Sequence, residues 1–466
     1  MAAARRTLLK AASFGTPIYG VNTGFGELSS RRISSGQLAR LQRNLVLSHA
    51  CGVGEALSEG ESRAILFLRA NELARGYSGV RPELIEAMVT MINAGVAPVI
   101  PSRGSVGASG DLAPQAHMAL VLLGEGSAFL DGQRLSGDQV LDELDLKPIV
   151  LEAKEGLSLL NGTQAMQAVG GLALRRARLV LEAAQLAGAM SLEAMTGTPV
   201  PFEELIQRLK PHRGQAQAAA QLRALLAGSE IRESHRDNDR RVQDPYSLRC
   251  MPQVHGAVLD VLARSLEVVE TELASVTDNP LIVKGRVISG GNFHGQALSF
   301  AFDSAAVALT ALGNISERRI FQLIAGNAPG LNPFLAENPG LESGWMIAQV
   351  TAAAISSENK VLAHPASVDS VPTSANKEDF VSMGMGAALK LRQIVANCAQ
   401  IVGIELLCAA QGVEVHAPLT PGRGVAEGLR RLRVKVPPTK GDEVLGPRLE
   451  TARELVLAGY FAGIAA

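Results

Sequence analysis

Residues 164–195 read QAMQAVGGLALRRARLVLEAAQLAGAMSLEAM. The stretch is rich in Ala, Leu, Arg and Glu, all strong helix formers, and Thr196-Gly197-Thr198-Pro199 stops it. Four further long segments have the same character: Val254–Val276, Gly295–Ile324, Gly344–Leu362 and Val381–Val413. Several are apolar almost all round, as in residues 346–355, MIAQVTAAAI. Such helices are buried in a bundle or between subunits, and alanine-rich faces let them approach closely. Strand signals are few and short. Phe129-Leu130-Asp131-Gly132-Gln133-Arg134-Leu135 predicts a hairpin turning through Asp-Gly, and Leu281–Ile288 predicts another. The fold class is therefore mostly α. A compact N-terminal domain over 1–165 carries a glycine-rich loop, and a long-helix bundle with the C-terminal helices fills 166–466.

The chain has 466 residues, 47% apolar and 19% charged, which describes a globular protein with enough core for two or three domains. A net charge of -1, with no basic block, gives no basis for a nucleic-acid partner. No apolar run is read as long enough to span a membrane. Arg5-Arg6-Thr7-Leu8-Leu9-Lys10 superficially resembles an export signal, but Gly15, Thr16 and Pro17 follow with no apolar core or cleavage site. An amphipathic first helix is the better expectation. Cys51, Cys250, Cys398 and Cys408 form no CxxC pair, and the eight histidines form no HExxH. No metal site and a reducing, cytoplasmic setting are expected.

Gly104-Ser105-Val106-Gly107-Ala108-Ser109-Gly110-Asp111-Leu112-Ala113-Pro114 concentrates small residues around one Ala-Ser-Gly triplet. An ordinary turn is one reading. A phosphate loop is another, but the Gly-Lys-Ser/Thr ending is missing and the glycines miss the GxGxxG spacing. The third reading is chemical. A tight fold, which glycine permits, brings the Gly110 nitrogen against the Ala108 carbonyl carbon. Closure and loss of two waters would leave an exocyclic methylidene, an electrophile made from the main chain.

Polar residues stand out elsewhere. Tyr19 lies in Gly20-Val21-Asn22-Thr23-Gly24-Phe25-Gly26 surroundings, and Tyr246 in Gln243-Asp244-Pro245-Tyr246-Ser247-Leu248-Arg249. Ser48-His49 ends an apolar stretch; Asn161-Gly162-Thr163-Gln164, Asn292-Phe293-His294 and Asn376-Lys377-Glu378-Asp379 complete the set. Taken singly, each fits a packed edge or a satisfied core residue. Together they supply an electrophile, tyrosines, an arginine, amides, a carboxylate and a histidine, which is what removing an amine from an amino acid needs. Glu233–Arg241 is too charged for a core and is expected to be a solvated loop or lid.

These motifs, in this order, resemble the aromatic amino acid lyases that carry a methylidene-imidazolone (MIO) group. The resemblance implies the helical fold of the aspartase and fumarase group, a homotetramer whose active sites draw on three subunits, and an MIO formed from Ala108, Ser109 and Gly110, with no PLP and no nucleotide. It also implies a chain that begins inside the family's first helical region. Within the family, Ser48-His49 and Glu378 match the members acting on histidine, whose products are trans-urocanate and ammonia. Phenylalanine and tyrosine members usually place glutamine where Glu378 stands. An imidazole offers N–H donors to a carboxylate, whereas a phenyl ring would leave that charge unpaired.

By the same resemblance Tyr19 is the base and Tyr246 assists proton traffic. His49 and Glu378 hold the imidazole, Arg249 pairs with the substrate carboxylate, Phe293 packs near the ring, and Asn161 and Gln243 orient the prosthetic ring and amine. To act near neutral pH, Tyr19 is expected to have a depressed pKa. Phe380, His255 and Gln296 depart from the histidine-specific pattern. A tyrosine ammonia-lyase or 2,3-aminomutase, and an inactive scaffold of the same fold, remain the alternatives.

Overall fold

Five long helices form where helix formers run unbroken: Gln164–Ala194, Met251–Leu273, Gln296–Ile324, Met346–Leu362 and Gly384–Glu414. They were observed in a computed structural model that describes residues 1–13, 17–237, 239 and 241–464. Gly15 and Thr16, and Asn238 and Arg240 of the charged stretch, lie outside the described residues. The amphipathic first helix spans Ala2–Ser13 and buries Arg5 and Leu8. Ser58 and Glu61 start the Glu59–Ala74 helix with a reciprocal capping box.

Both predicted hairpins form. Leu130 pairs with Gln133 across Asp131 (φ 50°) and Gly132 (φ 76°), and Val283 pairs with Arg286 across Lys284 (φ 48°) and Gly285 (φ 73°). Positive φ at both central residues suits the right-handed twist of the flanking strands. The long Gln164–Ala194 helix stops as expected, but its left-handed residue is Thr196 (φ 50°), one position before the glycine.

One expectation is corrected. Gln296–Ile324 and Gly384–Glu414 are long and apolar enough to cross a membrane, yet their apolar windows are 61% and 83% buried within the structure. Their hydropathy reflects burial against other protein.

The chain forms two compact units. The first comprises Met1–Leu172, Glu267–Phe302 and Pro365–Leu389; the second comprises Ala173–Leu266, Asp303–His364 and Lys390–Ala466. A single boundary at 165/166 does not describe this division, because the chain returns to the first unit through 267–302 and again through 365–389. Within the first unit, Gly170 lets the Phe302 ring approach so closely that a Cβ would lie 2.1 Å from its Cζ.

The second unit buries an ion pair between Arg319 and Glu405, with Nη2 donating to Oε2 over 2.8 Å. Ser191 and Ser316 also donate to Glu405. Arg241, in the charged stretch expected to be solvated, is half-buried. It donates to the Met195 carbonyl over 2.9 Å and to the Thr196 carbonyl, placing a cation at the C-terminal end of the long helix. Glu233 and Ser234 belong to a short helix, Glu230–Ser234.

Glu193, near the C-terminal end of that long helix, accepts the Gly422 N–H that opens the Arg423–Lys435 helix, over 2.9 Å. Burial pushes its carboxyl up to about 7, against hydrogen bonds from Ser229 and Gly422. The folded chain therefore holds a proton that the unfolded chain releases near the ordinary carboxylate pKa. The associated stability is complete at acid pH and falls as pH rises through about 7. Glu193→Gln should remove this slope and narrow the loss of thermal stability between pH 5 and pH 8 by about 2–3 kcal/mol. An unchanged pH dependence of the melting temperature would refute that assignment.

Candidate active site

The Gly-rich loop at 104–110 owes its shape to a parallel bridge between Gly110 and Gly162. The Gly162 N–H donates to the Ser109 carbonyl over 3.2 Å, and the Asp111 N–H donates to the Gly162 carbonyl over 2.8 Å. Ser109 has φ 50° and Gly110 φ 80°. A Cβ at Gly110 would lie 2.1 Å from the Gly162 oxygen, so no side chain fits. Gln115 ties down the same oxygen over 2.9 Å, and Ser105 donates to Asp111 over 2.9 Å and to the Gly110 carbonyl over 3.3 Å. Asp111 is fully buried, and burial pushes its carboxyl up to about 7 although Met166 N–H and Ser105 hold it down.

Ser109 faces a cavity of about 650 Å³ in the first unit. Tyr19, His49 and Glu378, far apart in the chain, line the same cavity. The Ser109 hydroxyl donates to Glu378 Oε1 over 3.2 Å. Glu378 Oε2 accepts Thr373 Oγ1 (2.6 Å) and Ser374 Oγ (2.8 Å), so the carboxylate is held from behind. It is presented by a loop in which Ser374, Ala375 and Asn376 are all left-handed, at φ 49°, 51° and 69°. Non-glycine residues in this region cost about 1–2 kcal/mol each. His49 ends the Leu38–His49 helix with Nδ1 3.1 Å from Ser48 Oγ. Burial lowers its pKa, while the Leu45 carbonyl and Glu378 raise it.

A profile of the aromatic amino acid lyases matches residues 1–434. The chain belongs to the aromatic amino acid lyase family. It is 53% identical over 459 residues to a histidine ammonia-lyase of Stigmatella aurantiaca, spanning 98% of this chain and 90% of that protein. The solved histidine ammonia-lyase of Trypanosoma cruzi superposes with a TM-score of 0.91 at 41% identity, over 99% of this chain and 88% of that one. A tyrosine aminomutase of Streptomyces globisporus gives 0.93 at 37% identity, over 99% and 91%. The fold of this lyase is thus the aspartase/fumarase-like helical fold expected from its motifs.

Other anticipated site residues of the lyase stand differently. Asn161 is buried, and its amide donates to Asp278 and to the Asn279 carbonyl, both over 3.2 Å. That amide is therefore engaged inside the protein. Phe293 is half-buried; the next residue, His294, stacks on Phe380 at 6.0 Å and approaches its carbonyl at 3.2 Å. Neither Asn161 nor Phe293 lines the cavity. Gln243, Tyr246 and Arg249 belong to the second unit. There Tyr246 is 70% exposed, the Arg249 guanidinium lies 4.5 Å from its ring centroid, and Arg249 Nε is buried with no hydrogen-bond partner among the described residues.

The expected depression of the Tyr19 pKa is not observed. Burial pushes the hydroxyl up, the Gly26 N–H donates to it over 3.4 Å and pulls it down, and the Glu378 charge raises it again. The neighbouring charge is the negative one of Glu378, which opposes ionisation of the hydroxyl.

Sequence reasoning missed four buried charges beneath the loop: Arg69, Glu72, Lys154 and Asp278. An Arg and a Glu three apart on one helix were the only signal, and Lys154 and Asp278 lie 124 residues apart.

Proposed function

We propose that this chain eliminates ammonia from L-histidine to give trans-urocanate, using an MIO made by its own Ala108, Ser109 and Gly110. The observation that carries this reading is the Glu378 carboxylate, 3.2 Å from the Ser109 hydroxyl in a cavity shared with His49 and Tyr19. The 53% identity to a histidine ammonia-lyase supports it.

The loop fits the group. Its backbone is already folded left-handed at Ser109 and Gly110, and the Gly162 bridge uses the Ser109 carbonyl and the Asp111 N–H. That bridge gives no role to the two groups that must join, the Gly110 nitrogen and the Ala108 carbonyl. Once formed, the group supplies an electron-poor methylidene carbon that can accept an amine.

The surrounding residues bind and move protons. Glu378 accepts an imidazole N–H on the carboxylate oxygen that the Ser109 hydroxyl frees when it leaves as water. His49 holds the same ring. Tyr19 takes the β-proton, with Tyr246 assisting. Arg249, a planar fork with an unsatisfied Nε, pairs with the substrate carboxylate. Gln243 and Phe293 orient the amine and ring, and Asn161 acts by fixing the turn that holds Gly162.

The exposure of Tyr246 on its own unit suits a homotetramer with composite sites. The four free cysteines suit a cytoplasmic setting. The substrate is a small amino acid, with no nucleic acid or membrane partner proposed.

Incubation with histidine, tyrosine and phenylalanine, followed by the absorbance of the conjugated product, tests the substrate. Histidine should react fastest; faster turnover of tyrosine would overturn the assignment. Glu378→Gln should lower kcat/KM for histidine by roughly 10–100-fold, the scale of one charge-assisted hydrogen bond. Equal losses on histidine and tyrosine would deny Glu378 its part in reading imidazole.

A further inference from the structure

Gly162 is closely approached on both sides. Its oxygen abuts Gly110. On its other side, a Cβ would meet Gln164 Oε1 at 2.5 Å, Arg69 Nη1 at 2.7 Å and Thr277 Oγ1 at 2.7 Å. The turn is thus pressed between the triplet and a buried polar cluster in the same unit.

That cluster is charged and closed to water. Arg69 and Lys154 are fully buried, Asp278 is 1% exposed and Glu72 3% exposed. Arg69 Nη1 donates to the Asn161 carbonyl over 2.6 Å and to Gln164 Oε1 over 3.0 Å, while its Nη2 donates to Glu72 over 2.8 Å. Glu72 also accepts Thr277 N–H (3.0 Å), Thr277 Oγ1 (2.7 Å) and Gln164 Nε2. Lys154 Nζ donates to Asp278 and, over 2.8 Å, to Ser158; Asp278 in turn accepts the Asn161 amide. Asn161 and Gln164, which flank the Gly162-Thr163 turn, are therefore each tied to this ionic frame. Lys154 itself sits at φ 72°, a left-handed conformation that a lysine adopts only where its surroundings impose it.

Four buried charges are a poor source of stability, because their desolvation offsets much of their attraction. They do fix geometry, since moving any member leaves a buried charge unpaired. We propose that Arg69, Glu72, Lys154 and Asp278 are positioning residues. They hold the Asn161-Gly162-Thr163 turn as a rigid stop against Gly110, and this hold sets the rate at which the triplet closes its ring. The proposal rests on the MIO reading above.

The step balances without a co-reactant. A bond forms between the Gly110 nitrogen and the Ala108 carbonyl carbon. The carbonyl oxygen leaves as water with the amide hydrogens of Gly110 and Ser109, giving a carbon–nitrogen double bond. The Ser109 hydroxyl leaves as the second water with the Ser109 Cα hydrogen, whose electron pair becomes the exocyclic double bond. Nothing is oxidised or reduced overall.

The test follows intact mass of the full chain after a short pulse of synthesis, with far-UV circular dichroism as the fold control. Glu72→Gln and Lys154→Met, with parental helix content, should lose the two waters at least ~10-fold more slowly than the parent, equivalent to ~1.4 kcal/mol on the barrier. Glu405→Gln, in the buried pair of the second unit, should lower stability but convert at the parental rate. Thr277→Val, which removes one hydroxyl of the frame, should also slow conversion and decides the matter if the charge variants fail to fold. Conversion at the parental rate in any folded frame variant would overturn the proposal, as would an equal slowing by Glu405→Gln. A parent chain that never loses two waters would instead overturn the MIO reading itself.

Discussion

Ser109→Ala should yield a folded chain that never shows a deficit of two waters and turns over histidine at least ~10³-fold more slowly, the scale on which removing an enzyme's covalent group acts. The fold has little reason to fail. Ser109 is left-handed at φ 50°, and alanine meets the same backbone cost there as serine. The side-chain contact the variant lacks is the hydroxyl bond to Glu378 of the unreacted chain, worth about 1 kcal/mol, which ring formation removes from the parent as well, and the Glu378 carboxylate keeps Thr373 and Ser374. The chemistry has every reason to fail. Without the hydroxyl there is no leaving group on the β-carbon of residue 109, so no exocyclic double bond can form even if the ring closes. Mass spectrometry and a melting curve separate the two effects. Full activity in Ser109→Ala, or an active parent chain of unreduced mass, would end the backbone-electrophile account.

What the sequence disclosed follows from what local chemistry can encode. The long helices were legible because each runs through many residues of one propensity, and Gly295–Ile324 differs from the observed Gln296–Ile324 helix by one position. The hairpins were legible because Asp131-Gly132 and Lys284-Gly285 sit between paired short strands. Tyr19 was legible as a candidate because a tyrosine in a glycine-rich loop is a poor core filler, and Ser109 because it stands inside an Ala-Ser-Gly triplet; His49 and Glu378 took their roles from the resemblance of the whole set of motifs.

The rest depends on contacts between distant segments. Nothing near Lys154 announces Asp278, and a buried lysine in sequence looks like any solvated one. The loop presenting Glu378 turns left-handed through Ser374, Ala375 and Asn376 without a glycine, so its conformation left no local mark. The two membrane-length helices show the same limit in reverse: hydropathy records that a segment avoids water, and only packing says whether lipid or protein replaces it. The Tyr19 pKa is the sharpest case. Burial sets its direction and the Glu378 charge adds to it; neither is written near Tyr19, and Glu378 lies more than three hundred positions away in the chain.

Tyr19→Phe should keep the two-water deficit and lose roughly 10²–10⁴-fold in kcat, the contribution of a positioned general base. Phenylalanine preserves the ring that meets Phe25 edge-on at 6.2 Å and 84°, so the loop should keep its shape. The hydroxyl is what disappears, and with it the partner of the Gly26 N–H. The retained two-water deficit distinguishes this variant from Ser109→Ala: the group is made, and the proton has nowhere to go. The pH profile carries a second signature. Burial and Glu378 push the Tyr19 hydroxyl above its ordinary value, so its basic form is scarce at neutral pH and grows ~10-fold with each pH unit. The kcat/KM of the parent should therefore climb with pH through the neutral range, and Tyr19→Phe should flatten that climb. A variant with the parental rate and the parental slope would assign the base to another residue.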